Sequence, residues 1–178
     1  MVSLVLASAS PARAATLRAA GLSPTIHVAD LDEHDVLRQA APSGGLTVAE
    51  SVMMLAQAKA HAVATAHPEA GDVVVGCDSM LEFQGQGYGK PSSPQEAHDR
   101  WLRMRGSAGV LHTGHYAITP HGQHARGLAR ATVHFADISD AEVEAYIASG
   151  EPLNVAGGFT IDGLGGPFIT KIEGDHHA

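Results

Sequence analysis

Val2-Ser3-Leu4-Val5-Leu6-Ala7-Ser8-Ala9-Ser10-Pro11-Ala12-Arg13 sets an apolar run, a polar break and a helix start in immediate succession. Val2–Ala7 reads as a short strand, and Ser8-Ala9-Ser10 as the break. Pro11 opens an Ala/Leu helix to about Ala20, which Gly21 ends. Ser10 suits the N-cap and Pro11 the N1 position, where the N–H that proline lacks would have had no helical partner. The unpaired N–H groups and the macrodipole of that helix start make an anion site, with Ser8 and Ser10 as added donors. Arg13 falls at about N3, where a cation is unfavourable by roughly 0.3–1 kcal/mol. An anion held between Arg13 and the helix start would reverse that sign. A solvent-facing arginine on an ordinary helix is the plain alternative.

Working outward, a second helix is expected over Val48–Ala66, with Thr47 and Glu50 spaced as a capping box. Val73–Val75 is a buried-type strand leading into Gly76-Cys77-Asp78, and Met80–Phe83 continues to the Gly-rich turn Gln84–Gly89. Ser93-Pro94-Gln95-Glu96 starts a third helix, which carries Trp101, Leu102 and Met104 to near Arg105. Val110–Thr119 and Ala129–Phe135 read as strands around the Pro120–Gly122 turn. Ser139–Glu142 caps a fourth helix that stops at Gly150, and loop and strand follow through Gly163–Gly166. Strands alternating with helices predict an α/β fold with a mixed central sheet flanked by helices. No linker or repeat divides residues 1–178, so a single domain is expected.

The 178 residues are 44% hydrophobic but only 4% aromatic, so Ala, Val, Leu and Ile are expected to build the core. A formal net charge of −8 argues against a nucleic-acid coat or an anionic membrane surface. Polyphosphate ligands stay open, because local cations or a divalent metal override the global sign. Cys77, the one cysteine, excludes an internal disulfide and suits a reducing compartment. No basic and apolar leader opens the chain and no apolar run approaches about 18 residues, so a cytoplasmic protein without a membrane partner is expected. His112, His115, His121 and His124 lie across a strand and turn with no cysteine partners. They read as scattered surface histidines rather than a zinc site.

Four further places can carry chemistry. On the second helix Val52, Leu55, Ala56, Ala62, Val63 and Ala66 form one apolar stripe, with Lys59 in its middle. A lysine there must snorkel out or meet an anion, and a methionine in its place is expected to leave the fold intact. Asp78 lies just beyond Val73–Val75, where α/β sheets collect ligands, and its carboxylate can hold a metal, activate water or merely start a turn. Gly85–Lys90 resembles a phosphate-binding Walker loop, but Pro91 stands where Ser or Thr should coordinate magnesium, so a hairpin presenting Lys90 fits better. Asp30-Leu31-Asp32-Glu33 offers a second hard oxygen ligand or is a solvated turn. Cys77 as a thiol nucleophile is the weaker reading, since nothing local lowers its pKa.

Taken in order, these segments resemble the Maf family. Leu6-Ala7-Ser8-Ala9-Ser10-Pro11-Ala12-Arg13 is similar to its opening LASxSPRR signature. Asp32-Glu33, Leu55-Ala56 with Lys59-Ala60, Gly76 to Ser79, Gly89-Lys90-Pro91 and Thr113-Gly114 follow at the family's approximate spacing. Gly150-Glu151-Pro152, Ala156-Gly157 and Gly174-Asp175 complete the series. The resemblance implies two lobes around a deep cleft (a Maf/ITPase-like fold), usually a homodimer. It implies hydrolysis of a nucleoside triphosphate to the monophosphate and pyrophosphate, with Mg2+ or Mn2+ as cofactor. Carried over by position, Ser8, Ser10, Arg13, Lys59 and Lys90 would hold phosphates. Glu33 and Asp78 would handle metal and water, with Asp78 the catalytic proton acceptor. The family is also associated with arrest of septum formation, so a nucleotide-sensing protein without turnover is the alternative.

The departures fall on charge. Ala12 stands for the signature's first arginine and Ala15 for its glutamate. Ser107, Gly109 and Val155 stand where relatives often have a basic residue, a histidine and a lysine. The chain stops at Asp175-His176-His177-Ala178, where relatives usually continue with an Asn-Val-Val-Gly type segment, so an altered or missing end is expected. Relatives preferring thymine or uracil have Thr after the catalytic Asp and a later Gln. This chain has Ser79 and Asp162 there, the two base-specificity candidates.

Overall fold

The computed structural model describes residues 3–41, 45–68 and 72–175, so the expectations for Val2 and the C-terminal His176-His177-Ala178 lie outside the described residues. Among the described residues seven strands and five helices follow one another as β1 (Leu4–Leu6), α1 (Pro11–Ala19), β2 (Thr25–Ile26), α2 (Glu33–Ala40), α3 (Val48–Ala66), β3 (Val73–Phe83), β4 (Gln86–Tyr88), α4 (Pro94–Met104), β5 (Ala108–Ile118), β6 (His124–Phe135), α5 (Asp140–Ala148) and β7 (Ile169–Gly174). Three short 3-10 turns separate α5 from β7. The sheet order is β2-β1-β3-β5-β6-β7, with β4 paired to β3. β1 is parallel to β2 and β3, whereas β3–β4 and β6–β7 are antiparallel, so the α/β fold with a mixed sheet is as expected.

Two compact units share the chain. Of the described residues, the first takes in those up to Asp78 and Thr113–Ala129; the second takes in Ser79–His112 and those from Arg130 onward. The first unit has an aliphatic core of Val5, Ala7, Ala56, Ala60, Val63, Val74 and Ile118 with Tyr116. Gly76 and Gly114 let α3 lie directly on the strands. A Cβ on Gly76 would sit 2.0 Å from the Ala56 carbonyl oxygen, and one on Gly114 2.5 Å from that of Val52. The second unit concentrates the few aromatics, contrary to the composition-based expectation. Trp101 is fully buried, with Phe135 and Tyr146 edge-on at 5.6 and 5.4 Å.

Four readings change. Gly76-Cys77-Asp78 is not a break, because β3 runs unbroken from Val73 to Phe83. β1 pairs with it only as far as Leu6↔Val75, so Asp78 lies mid-strand on β3 but beyond the carboxyl end of β1. Asp32-Glu33 is not a turn but the start of α2, with Asp32 as N-cap accepting from the Asp35 N–H. On α3 the buried positions are Ser51, Val52, Leu55, Ala56, Ala60 and Val63, while Ala62 and Ala66 stay more open. His112 is buried, its Nε2 2.8 Å from Glu82 Oε2, and not a surface histidine.

Candidate functional site

Within the first unit, four elements bring Ser8, Ser10, Arg13, Glu33, Lys59 and Asp78 into one neighbourhood. Ser10 caps α1, its hydroxyl accepting from the Arg13 N–H. The buried Ser8 hydroxyl accepts from the Ser10 N–H at 3.2 Å and from Arg13 Nη1 at 3.0 Å. Arg13 Nη1 also donates to the Cys77 carbonyl at 2.9 Å, which ties the α1 start to β3 immediately before Asp78. The arginine at N3 is therefore folded back over the helix start rather than turned to solvent.

Lys59 rises from the middle of the α3 stripe and does not snorkel. Its Nζ is 2.5 Å from Asp78 Oδ1 and 2.7 Å from Glu33 Oε1, and its side chain is 13% exposed. Ala56, one turn before Lys59, and Ala60, the residue after it, pack against the strands, so the glycine at 76 that admits α3 also fixes where this ammonium lands.

Burial pushes the Asp78 carboxyl above the usual carboxylate range. The Lys59 ammonium and its hydrogen bond pull it back, Glu33 adds to the rise, and Arg13 opposes it; burial wins. Burial likewise pushes the Cys77 thiol up despite Arg13 and Lys59 nearby. A buried thiol held protonated is a poor nucleophile, so the thiol reading loses its support.

The remaining candidates belong to the second unit. Lys90 is exposed between β4 and α4, following the hairpin turn Gln84-Gly85. Ser79 is half-buried on β3. Asp162 is exposed, and its N–H is 3.3 Å from Thr160 Oγ1. Two devices here escaped the sequence reading. Arg100 Nη1 donates to the Gly89 carbonyl at 2.7 Å, while its Nη2 pairs with Glu96. Glu151 accepts from the Tyr146 hydroxyl at 2.9 Å and from the Leu164 and Gly165 N–H groups at 2.9 and 3.0 Å. The Gly150-Glu151-Pro152 and Gly163–Gly166 segments were the available signal. A Cβ on Gly163 would sit 2.3 Å from Glu151 Oε2, so the glycine is there to admit the carboxylate.

The donor set fits a hard divalent cation. Glu33 and Asp78 present carboxylate oxygens to one position that already carries a positive charge, the Lys59 ammonium. Mg2+ characteristically takes one or two carboxylates and completes its shell with water and substrate phosphates. Among the described residues, no group of three or more His, Cys, Asp and Glu side chains gathers into a self-sufficient metal cage. No helix among them is long and apolar enough to cross a membrane.

An α/β sheet whose first strand ends at a helix start beside paired carboxylates and a shared lysine defines a protein suited to a charged, phosphate-bearing ligand. The chain belongs to the Maf-like protein family, whose model matches residues 3–178. It is 52% identical over 176 residues to a protein from Salinispora tropica named nucleoside triphosphate pyrophosphatase, covering 97% of this chain and 75% of that one. A protein of the same name from Streptomyces coelicolor is 49% identical over 174 residues, covering 97% of this chain and 81% of its own. Among solved structures, a HAM1 protein from Coxiella burnetii gives a TM-score of 0.46 at 15% identity, over 78% of this chain and 75% of that one.

Proposed function

We propose that the chain is a metal-dependent nucleoside triphosphate pyrophosphatase, cutting the α–β phosphoanhydride to release the monophosphate and pyrophosphate. The observation that carries this reading is the buried Asp78 carboxylate, shared through Lys59 with Glu33 and set against the Arg13–Ser8 helix start. The name its relatives bear supports it.

Asp78 accepts the proton of the attacking water. Its upward-shifted pKa brings it toward the range in which a carboxylate is an effective base. Glu33 and Asp78 would hold the divalent cation, and that ion when bound supplies Lewis-acid polarisation and a more acidic water. Arg13, Lys59, the Ser8 and Ser10 hydroxyls and the α1 start offset charge on the phosphates, and Lys90 does so from its turn. No residue forms a covalent intermediate. Ser79 and Asp162 read the base, with guanine-type or mixed substrates favoured over dTTP and UTP.

The test is release of pyrophosphate from a panel of nucleotides, methylated bases included, with Mg2+, Mn2+ and chelator arms. Metal-dependent release that vanishes in Asp78→Asn supports the enzyme. Tight nucleotide binding with no release under any metal would instead assign a sensing role.

A further inference from the structure

Lys90 has no hydrogen bond or ion pair among the described residues, yet the irregular segment that carries it is held at both ends. On one side, the Gly89 carbonyl accepts from Arg100 Nη1 at 2.7 Å and from the Gly157 N–H at 3.1 Å. On the other, the Ser92 N–H and hydroxyl each donate to Glu96 Oε2 at 2.6 Å. Between them Pro91 is buried, and a Cβ on Gly158 would come within 3.3 Å of its Cγ. Glu96 and Arg100 are one turn apart on α4 and are paired to each other. The Arg100 guanidinium also lies over the Tyr88 ring, 4.9 Å from its centroid. One ion pair therefore reaches residues 88, 89 and 92, which bracket the lysine.

Packing does not explain this arginine. α4 is anchored in its core by the buried Ala97, Trp101 and Met104, and Arg100 is not among these buried residues. Its side chain is 10% exposed and its Nε is buried without a hydrogen-bond partner, an arrangement that costs free energy and that an apolar side chain would avoid. What only the rigid, planar fork supplies is two simultaneous donations in different directions, one to Glu96 and one to Gly89.

We propose that Arg100 is a positioning residue for Lys90: braced by Glu96 and aimed at the Gly89 carbonyl, it fixes the Gly89–Ser92 turn so that the Lys90 ammonium is pre-placed for the substrate's phosphates. This rests on Lys90 binding phosphate, as argued above. Pre-placement matters because a shift of about 1 Å in a charge-stabilising group can cost on the order of 100-fold in rate. Glu96 suits the brace, since hydrogen bonds from the Ser92 hydroxyl and N–H and the Arg100 pair hold its carboxyl down at about 2, ionised throughout the working range.

A double-mutant cycle on the full chain tests it, reading kcat and KM for pyrophosphate release. Arg100→Met is expected to lower kcat/KM by about 10–100-fold. Combined with Lys90→Met it should be no worse than Lys90→Met alone. Arg100→Lys should recover little, because one ammonium cannot span both acceptors. Amide exchange at Gly89, Lys90 and Ser92 should speed up in Arg100→Met and in Glu96→Gln, which cuts the brace from its other end, while exchange in the Val73–Asp78 part of β3 stays unchanged. Losses that multiply in the double variant, or unchanged exchange at the turn, overturn the positioning role and leave Lys90 in place. A Lys90→Met variant at wild-type rate removes Lys90 from the phosphates, and the positioning role with it.

Discussion

Lys59 Nζ lies 2.5 Å from Asp78 Oδ1, and this contact joins the middle of an apolar helix face to a buried strand carboxylate. The sequence places Lys59 mid-stripe and makes methionine a tolerable replacement there. The pair reverses that expectation. Methionine would suit the stripe, but it would leave Asp78 buried without its counter-charge, and losing one partner of a buried pair is far costlier than losing both.

Lys59→Met should therefore be destabilised, by about 3 kcal/mol near neutral pH. The deficit should shrink in acid, because a carboxyl whose folded-state pKa is raised costs stability that builds up as pH climbs from its unfolded value to its folded one and is absent below both. Adding Asp78→Asn, which carries no charge to strand, should return most of the loss. Denaturant melts of the three proteins between pH 4 and pH 8 would decide it. A single variant as stable as wild type at pH 8 would mean that the pair does not matter to the fold.

Asp78→Asn alone should lose about 10²–10⁴-fold in turnover, the range a positioned base supplies, while nucleotide binding survives. Calorimetric binding beside pyrophosphate release separates the two effects. Near-normal turnover would take Asp78 out of the chemistry.

How much of this was legible depends on whether the determinant was local. The caps at Ser10, Thr47, Ser93 and Ser139 and the proline starts of α1 and α4 are local, and those helices begin where the sequence puts them. α2 was missed because Glu33–Ala40 has few apolar residues and its N-cap sits in a run of acids that reads equally as a turn. β3 was split because Gly76 looks like punctuation. Its real cause is the approach of the Ala56 carbonyl from another element, which no local pattern encodes. The same holds for the site. Motif order singles out Lys59, Asp78 and Glu33, but the shared ammonium, the Arg100 fork and the Glu151 hub are tertiary contacts.

The Glu96 brace carries a pH signature. Its carboxyl is held down to about 2, chiefly by the Ser92 hydroxyl and N–H, with Arg100 adding to the effect. A depressed carboxyl stabilises above its unfolded value and loses that contribution as pH falls through the folded one. Wild type should thus melt higher than Glu96→Gln at pH 6, with the gap closing between about pH 4.5 and pH 2. The group is partly exposed, so a modest shift in Tm is expected. A gap independent of pH would assign the difference to packing.

The last prediction concerns the base. Asp162 has a bland alternative: capping the turn into Gly163–Gly166. Glu151 already holds that turn, taking the Leu164 and Gly165 N–H groups together with the Tyr146 hydroxyl. The Asp162 carboxylate is exposed and accepts no hydrogen bond among the described residues, while its neighbours on the loop are anchored. A carboxylate only accepts, and the guanine Watson–Crick edge offers N1–H and the N2 amino group to such an acceptor. A glutamine both donates and accepts, which matches the carbonyl and N–H of thymine or uracil. Asp162→Gln should therefore shift kcat/KM from GTP and 7-methyl-GTP toward dTTP and UTP. The shift should be large if the site closes on the base edge, because a mismatched base then leaves buried polar groups unpaired. Tm should hardly move, since Glu151 and not Asp162 keeps the loop in place. A wild-type preference for dTTP or UTP that survives the substitution would return Asp162 to the surface.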